Sequence, residues 1–421
     1  MSGQPNNSKI QSASRRAFIK HLAASPLAYG LGASAIGGLA LPGELAFDAI
    51  FNTALAQSGP SGLIQSIDEA FNVFDFEPVM KSKVNPGHYA YMAQGADDGA
   101  IMRVNREGFD KLQLLPRRLV DVREVDMSIE LFGQRYDQPI FIAPAGTHGM
   151  FHPEGELAVA RAARSKNTLM VLSTVTNHAV EDVADARAAP IWYQLYPASD
   201  WDVTRNILKR AERSGCTALV LTADIPARNL EESARFRRDT NPACLVCHEP
   251  GRSWEQKPMF SGVDMTRVSM GIAGLTWDYV DRLKDATSMN VLVKGIVTAE
   301  DAYHCLEHGA DGMIVSNHGG RSSADNRSTI EALPEILEVV EGRVPVLIDS
   351  GFRRGTDIFK ALSLGADAIC IGRPYLWGLG AFGQPGVEKV LDLLIRELRI
   401  VMQQMGATSL EGIRRDSVRH I

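Results

Sequence analysis

The sequence lacks the features of three protein classes. No basic stripe runs along its 421 residues and the formal net charge is −6, which argues against nucleic acid as a partner. No internal region is apolar over the length that a membrane-spanning helix needs. No glycine fingerprint of a dinucleotide-binding fold is present, so NAD is not favoured as a cofactor. The composition, 45% hydrophobic and 22% charged, is ordinary for a globular protein.

Eight short apolar runs predict eight buried strands. They cover residues 140–146, 169–174, 191–196, 218–224, 290–296, 312–319, 344–350 and 368–373. Amphipathic helical patterns lie between most of them, as at 154–165, 202–214 and 356–364. Apolar runs that alternate with helices are typical of parallel βα units. Eight units in about 235 residues favour an α/β fold of the (β/α)8 or TIM barrel type, with a doubly wound open sheet as the alternative.

Polar and charged side chains follow nearly every predicted strand. They are Ser173 and Thr174, Gln194 and Tyr196, Thr222 and Asp224, Lys294, His318 and Arg321, Asp349, and Gly372 and Arg373. Barrel enzymes carry their catalytic groups at the carboxyl ends of the strands. We therefore expect these side chains to converge on one rim of the barrel. Helix capping would explain one or two of them, but not the whole set.

The turn after the sixth apolar run contains an imidazole and a guanidinium three residues apart. Residues 316–321 read SNHGGR. Histidine titrates nearest to neutral pH, and arginine is a permanent cation whose planar fork matches a carboxylate. The two glycines let the backbone approach a ligand closely. The turn therefore predicts a proton acceptor at His318 and an anion clamp at Arg321; a histidine satisfied within a tight turn is the alternative.

Residues 1–58 are interpreted as an export signal. Arg15 and Arg16 precede a weakly hydrophobic stretch at 22–41, an arrangement similar to a twin-arginine signal. A candidate cleavage site, Ala-Leu-Ala, ends at Ala56. An uncleaved anchor helix is the alternative. We therefore expect a periplasmic protein, associated with the membrane if the segment is retained.

Two regions follow the signal. Residues 59–139 are predicted to form a mostly helical leader, in which Tyr89 and Tyr91 lie on different faces of one helix. At most one of these tyrosines would then face a ligand. Residues 140–421 are predicted to form the barrel, with a long loop at 225–289 and a closing helix at 387–405.

Ordered motifs cover the chain from about residue 85 to 415. They include Y-x-Y-x-A-x-G-A at Tyr89, H-P-E-G-E at His152, L-V-K-G at Leu292, S-N-H-G-x-R at Ser316 and I-G-R-P at Ile371. In these motifs the chain resembles the FMN-dependent 2-hydroxy-acid oxidases and dehydrogenases, which include glycolate oxidase, lactate dehydrogenase and mandelate dehydrogenase. The resemblance implies a TIM barrel that binds FMN and oxidises a hydroxy acid.

The same resemblance implies roles for the residues on the predicted rim. His318 would take a proton from the substrate, and Asp224 would orient and stabilise its imidazolium. Lys294 would stabilise negative charge on the flavin, and Tyr196 would assist catalysis. The substrate would bind to Tyr91, Arg321 and Tyr196. The FMN-binding residues would be Ala145, Ser173, Gln194, Thr222, Lys294, Ser316, Asp349, Arg353, Gly372 and Arg373.

Several positions depart from the family pattern. The family usually places a second substrate-binding arginine five residues after the proline of L-T-x-D-x-P, where this chain has Glu231. A carboxylate repels a carboxylate at neutral pH, so lactate and glycolate are expected to be poor substrates unless Arg228 or Arg235 takes the role. Val175 replaces a bulky aromatic residue, which indicates a roomier pocket. Asp-Ser-Gly at 349–351 and Ala-Gly at 145–146 also differ from the family.

The long loop contains a C-x-x-C-H motif at Cys244, Cys247 and His248. This motif attaches c-type haem, for which Met259, Met265 or Met270 would supply the other axial ligand. The alternatives are a local disulfide between the two cysteines, or neither a haem nor a disulfide. The other three cysteines, Cys216, Cys305 and Cys370, are predicted to be buried thiols.

The leading hypothesis is an FMN-dependent enzyme that oxidises a 2-hydroxy acid to its 2-oxo product. Electrons would pass to a cytochrome or a quinone-linked acceptor, and a homo-oligomer is expected. Three alternatives stay open: a flavin-binding electron-transfer or sensor protein, an FMN oxidase of an alcohol without a carboxylate, and an isomerase that uses reduced FMN.

Overall fold

The computed structural model of the protein describes residues 62–227, 254–255, 257–271, 273–413 and 415–421. Residues Ser66 to Ile421 group into one unit, which contains the predicted barrel. The export segment, Glu231 and the C-x-x-C-H motif lie outside the described residues.

The leader combines helices with short strands. It contains helices α1 (Phe76–Lys83), α2 (Pro86–Ala93) and α3 (Ala100–Asp110), followed by strands β1 (Leu112–Leu114), β2 (Ile129–Leu131) and β3 (Gln134–Tyr136). Strands β2 and β3 form an antiparallel hairpin. Its turn places Phe132 at φ 49° and Gly133 at φ 72°, as a tight two-residue hairpin turn requires. The leader is thus helical up to Asp110, whereas a mostly helical leader was expected to reach residue 139.

Eight parallel strands form the central sheet, as the apolar runs predict. They are β4 (Ile140–Ile142), β5 (Val171–Ser173), β6 (Trp192–Leu195), β7 (Ala218–Thr222), β8 (Asn290–Ile296), β9 (Gly312–Val315), β10 (Val346–Ile348) and β11 (Ala368–Ile371). Their order is β4-β11-β10-β9-β8-β7-β6-β5. A parallel bridge between Ile142 and Met170 joins the two end strands, so the sheet closes into the predicted (β/α)8 barrel rather than an open sheet.

A helix follows each barrel strand. The helices are α4 (Gly155–Ser165), α5 (Val180–Arg187), α6 (Trp201–Arg213), α7 (Asp278–Ala286), α8 (Ala299–Glu307), α9 (Thr329–Val340), α10 (Gly355–Leu364) and α11 (Arg373–Met405). A final strand, β12 (Val418–His420), pairs with β1. Among the described helices, none combines the length and the apolar character needed to cross a membrane.

Helix α11 begins earlier than the predicted closing helix. It starts at Arg373, directly after β11, and is interrupted at Phe382 and Gly383, whose backbone angles are not helical. Gly378 and Gly386 pack face to face across this kink, where a Cβ at Gly378 would lie 2.5 Å from the carbonyl oxygen of Gly386. The kink turns the second half of α11, which corresponds to the predicted helix, back over the barrel helices.

The hairpin of the leader covers the amino-terminal end of the barrel. Phe132 packs against Trp192 at the start of β6, with ring centroids 5.6 Å apart. Tyr136 packs against Phe141 of β4 at 5.0 Å. These aromatic contacts belong to the main apolar cluster, which also includes Leu131. These apolar side chains fill the amino-terminal end of the barrel, so a ligand is expected at the carboxyl ends of the strands.

Cys216, Cys305 and Cys370 are buried free thiols, as predicted.

Gly355 provides a test of the packing between α10 and α11. A Cβ at this position would lie 2.3 Å from the carbonyl carbon of Glu397 and 2.4 Å from the amide nitrogen of Leu398. We expect Gly355→Ala to destabilise the fold by about 1–3 kcal/mol, because neither backbone can move aside without disturbing its helix. The measurement is the midpoint of thermal unfolding followed by circular dichroism. Gly274→Ala is the control, since a Cβ there meets nothing within 4 Å. Equal midpoints for the two variants would contradict this packing.

Candidate active site

A cavity of about 660 Å³ opens at the carboxyl ends of the barrel strands. The predicted site residues on its wall are Tyr91, Ala145, Ser173, Tyr196, Lys294, His318, Arg321, Asp349, Arg353, Gly372 and Arg373. The remaining ones lie directly behind this wall. Gln194 contacts Ser173, Asp224 contacts His318, and Ser316 contacts Lys294. Thr222 is buried on β7 in register with Lys294 on β8.

His318 and Asp224 form a buried hydrogen-bonded pair. The Nδ1 of His318 lies 2.8 Å from Oδ1 of Asp224, while its Nε2 lies 3.5 Å from the hydroxyl of Tyr196. His318 adopts φ 59°, and its amide donates to Ser316 Oγ at 3.0 Å. The turn after β9 therefore fixes one ring nitrogen on the carboxylate and directs the other towards Tyr196 and the cavity.

Gly295 makes room for the carboxylate of this pair. Its φ is 113°, and a Cβ here would lie 2.5 Å from the Cβ of Asp224. Any side chain would therefore collide with Asp224 and would also be strained at this backbone angle. This close approach is the physical reason for the glycine in the L-V-K-G motif.

Burial and charge set the protonation of the pair. Burial lowers the pKa of His318 below its usual value of 6.5, and the cation of Lys294 lowers it further, against the opposing charge of Asp224. Burial raises the pKa of Asp224, but His318 and Lys294 outweigh it and bring the pKa to about 2. At neutral pH the imidazole is therefore neutral and the carboxylate ionised, which suits a general base with a charged partner.

Lys294 places a fixed cation in the cavity wall. Its Nζ lies 2.8 Å from Ser316 Oγ, 3.4 Å from Asp224 Oδ2 and 3.6 Å from Asp349 Oδ2. Burial lowers the pKa of this ammonium, but the two carboxylates raise it above its usual value. The lysine therefore stays charged although its side chain is only 4% exposed.

Three arginines form a cationic side of the cavity. Arg321 donates to the carbonyl oxygen of Tyr91 and stacks over its ring at 4.6 Å. Arg373 donates to Met92 O at 2.9 Å and to Gly319 O at 2.6 Å. Burial and the neighbouring arginines lower the pKa of Arg373 to about 9, and burial and Arg106 lower that of Arg353 to about 10.

The arginines Arg353 and Arg373 lie where an anion would be stabilised. Among the described residues, the side-chain hydrogen bonds of both guanidinium groups go to backbone carbonyl oxygens rather than to carboxylates. Arg373 also begins α11, whose amino-terminal dipole favours negative charge. A phosphate at the ends of the last two barrel strands would satisfy both arginines, which is the usual phosphate position in such barrels.

Two buried polar groups at the strand ends lack a protein partner. They are Nε2 of Gln194 and Oγ1 of Thr222, as judged from the described residues. Buried donors are normally satisfied, so these groups favour a polar ligand with acceptor atoms beside the strands. Together with Lys294 they match a planar heterocycle that carries carbonyl oxygens and ring nitrogens.

Several lining residues were not predicted. Met150 and Phe151 follow β4, and Trp254 and Lys257 come from the long loop. The position of Met150 shortly after a strand is a signal that could have identified it, whereas no sequence pattern marks Lys257. Of the two tyrosines two residues apart, Tyr91 faces the cavity and Tyr89 turns away to donate to Glu77 at 3.0 Å.

The change to glycine at position 146 accompanies the change to valine at position 175. A Cβ on Gly146 would lie 2.9 Å from the Cβ of Val175, and both residues line the cavity. The two departures from the family pattern therefore lie next to each other on the cavity wall. Glu231, Arg228 and Arg235, like the C-x-x-C-H motif, belong to the segment that the structure does not describe.

Comparison with known proteins gives the family of this chain. The family model described as FMN-dependent dehydrogenase matches residues 80–420. A peroxisomal (S)-2-hydroxyacid oxidase of Arabidopsis thaliana is 40% identical over 354 residues, 84% of this chain and 97% of the relative. The L-lactate oxidase of Lysinibacillus sphaericus is 39% identical over 353 residues, 81% of this chain and 90% of the relative.

The fold is also similar to a solved structure. A soluble mutant of the membrane-associated (S)-mandelate dehydrogenase from Pseudomonas putida superposes with a TM-score of 0.77 at 34% sequence identity. The match covers 84% of this chain and 100% of that structure.

Asp224→Asn tests the coupling within the His318 pair. The carboxylate raises the pKa of His318, whereas burial and Lys294 lower it. Removing the negative charge leaves only the lowering effects, so we expect the pKa of His318 to fall further below its usual value. The measurement is an NMR titration of the His318 Cε1 proton. Asp281→Asn is the control, because Asp281 contacts the distant His308 at 2.9 Å. A higher pKa in Asp224→Asn would contradict this account of the pair.

Proposed function

Because the chain belongs to the FMN-dependent dehydrogenase family, we propose that it binds FMN in the mouth of its barrel and oxidises a 2-hydroxy acid to the 2-oxo acid. The observation that carries this proposal is the contact between His318 Nδ1 and Asp224 at 2.8 Å, on a cavity that also has a cationic side. Relatives at about 40% identity are named for the oxidation of 2-hydroxy acids and of L-lactate.

The residues of the cavity fit FMN. The buried, unpartnered groups of Gln194 and Thr222 would hydrogen-bond the ring system, beside Ser173, Ala145 and Lys294. The ribityl chain and phosphate would be held by Ser316, Asp349, Arg353, Gly372 and Arg373. Bound FMN would accept the two electrons of the reaction.

His318 is the proposed base. Oxidation of the carbinol group removes two electrons and two protons from the substrate, and Nε2 of His318 would take one of these protons. Asp224 would accept the hydrogen bond from Nδ1 and stabilise the resulting imidazolium across 2.8 Å. The hydroxyl of Tyr196, 3.5 Å from Nε2, would orient the substrate hydroxyl.

Arg321 and Lys294 would stabilise the negative charges of the reaction. Arg321, stacked on Tyr91, would bind the substrate carboxylate together with the Tyr91 hydroxyl. Lys294 would stabilise negative charge that develops beside it in the transition state. A flavin-binding sensor would need neither a base nor a carboxylate clamp, so the geometry favours the enzyme over that alternative.

Export and electron transfer extend this proposal. The twin arginines Arg15 and Arg16 support secretion of the folded protein into the periplasm. That compartment offers cytochromes and a membrane quinone pool, and one of these would accept the electrons. The C-x-x-C-H motif would hold either a c-type haem or a disulfide. Assembly into a homo-oligomer is part of the same proposal.

Reduction of the bound flavin by hydroxy acids tests the proposed function. Purified protein should be yellow and should release FMN on denaturation. Anaerobic mixing with a panel of (S)-2-hydroxy acids should bleach the flavin absorbance in a stopped-flow instrument, because His318 is neutral and ready to accept a proton. Release of FAD, or a flavin that no hydroxy acid reduces, would count against the proposal.

His318→Ala is the matched control for this measurement. The variant should keep its FMN, since His318 does not belong to the proposed phosphate or ring contacts. Its flavin reduction should slow by about two orders of magnitude or more, the usual contribution of a positioned base. Near-normal reduction would remove His318 from the mechanism.

A comparison of electron acceptors tests the proposed physiology. We expect turnover with a soluble cytochrome or a quinone analogue to exceed hydrogen peroxide formation in air, because the proposed compartment supplies such acceptors. The measurement is initial rates at one substrate concentration. A Soret band that survives denaturation and is lost in Cys247→Ser would identify a haem. Rapid stoichiometric peroxide formation with acceptors present would refute a dehydrogenase.

A further inference from the structure

A second lysine lies on the cavity wall, away from the proposed catalytic groups. Lys257 comes from the described part of the long loop, is only 4% exposed and lines the cavity. Its ammonium donates to Thr147 Oγ1 at 3.1 Å. Thr147 in turn donates to the carbonyl oxygen of Val175 at 3.2 Å. Neither the sequence motifs nor the proposed mechanism uses Lys257.

The segment around Lys257 is anchored to the barrel at several points. A short 3-10 helix, Pro258–Phe260, follows the lysine, and its residues Met259 and Phe260 are buried. Pro258 accepts a hydrogen bond from Arg210 on α6 at 2.8 Å. Trp254 packs edge-on against Phe260 with ring centroids 5.7 Å apart. The position of the lysine is therefore set by packing on the barrel helices and on the strand ends.

The barrel order places Lys257 opposite the proposed base. Its partner Thr147 follows β4, and Val175 follows β5, whereas Lys294 lies on β8 and His318 follows β9. In the order β4-β11-β10-β9-β8-β7-β6-β5, the pair β4/β5 is diametrically opposite the pair β8/β9. Lys257 and His318 therefore face each other across the mouth of the barrel.

This arrangement determines which part of a substrate Lys257 meets. If Arg321 and Tyr91 hold the carboxylate beside His318, the rest of the substrate extends away from β9 and towards the β4/β5 wall. There it passes the apolar side chains of Met150, Val175 and Trp254. The ammonium of Lys257 lies on the same side of the cavity, where it would meet the far end of the substrate side chain.

We propose that Lys257 is a specificity residue that binds a second carboxylate, so that the preferred substrates are 2-hydroxy dicarboxylates. The inference rests on the proposed function. An ammonium offers three donors and no acceptor, so it favours an anion and repels a cationic side chain. Partial burial strengthens the ion pair relative to one in water. A neutral side chain of equal shape would not form this ion pair with the ammonium.

A comparison of matched substrates tests the proposal. The charged probes are (S)-malate, (S)-2-hydroxyglutarate and (S)-2-hydroxyadipate, which carry the second carboxylate on side chains of increasing length. The neutral probe is (S)-2-hydroxy-5-methylhexanoate, which has the shape of 2-hydroxyglutarate with an isopropyl group in place of the carboxylate. We expect kcat/KM for flavin reduction to favour the best diacid over the neutral probe by roughly 10- to 100-fold, as a hydrogen-bonded charge pair provides.

Variants of Lys257 separate recognition from folding. Lys257→Met should lower the ratio of the two kcat/KM values by at least about tenfold, and Lys257→Arg should retain most of it. Lys209→Met, on the exposed face of α6, is the matched control and should leave the ratio unchanged. FMN content of each variant reports whether the barrel mouth is intact.

Two results would overturn the proposal. One is a wild-type protein that reduces its flavin equally well with the neutral probe and with every diacid. The other is a Lys257→Met variant that holds FMN and keeps the wild-type ratio. A wild-type protein whose flavin no hydroxy acid reduces would instead reject the proposed function, so the two failures are distinguishable.

Discussion

The buried carboxylate of Asp224 is the contact on which the site depends. One of its oxygens holds Nδ1 of His318 at 2.8 Å, and the other lies 3.4 Å from the ammonium of Lys294. Without this shared anion two basic groups would lie side by side in a poorly hydrated cavity, and burial would favour their neutral forms. With it, the lysine stays charged and the imidazole gains a partner for its protonated form. Gly295 is glycine because nothing larger lets Asp224 approach.

A second constraint joins the leader to the barrel mouth. Arg321 and Arg373 both donate to the carbonyl oxygens at the end of α2, with Arg373 reaching Gln94 at 3.1 Å. The amide of Ala96 donates to Gly320 O at 2.8 Å, next to the proposed base. The side chains that form the cationic side of the cavity thus also hold α2 in place. Tyr91 reaches the cavity because these contacts fix its helix.

Much of the architecture follows from local sequence patterns and could therefore be predicted. The apolar runs give eight strands, and the polar residues that follow them line one cavity, as Lys294 and His318 illustrate. The runs overestimate strand length, because a run such as 312–319 includes the polar and glycine residues at 316–319, which form the turn after β9. The hairpin around Phe132 was expected to be helical, since three-residue strands are too short to show an alternating pattern. Lys257 carried no signal at all.

Periodicity and motifs are properties of neighbouring residues, and they were enough to predict the eight strands along the chain, the residue types at their ends and the family. Which of these groups meet depends on the folded barrel. Asp224 and His318 are separated by 94 positions and come together because the closed barrel brings β7 and β9 to one rim. Lys257 reaches the wall opposite His318 because a loop of irregular sequence folds over β4 and β5. Such contacts depend on closure of the sheet and on packing between distant segments, which no local pattern records.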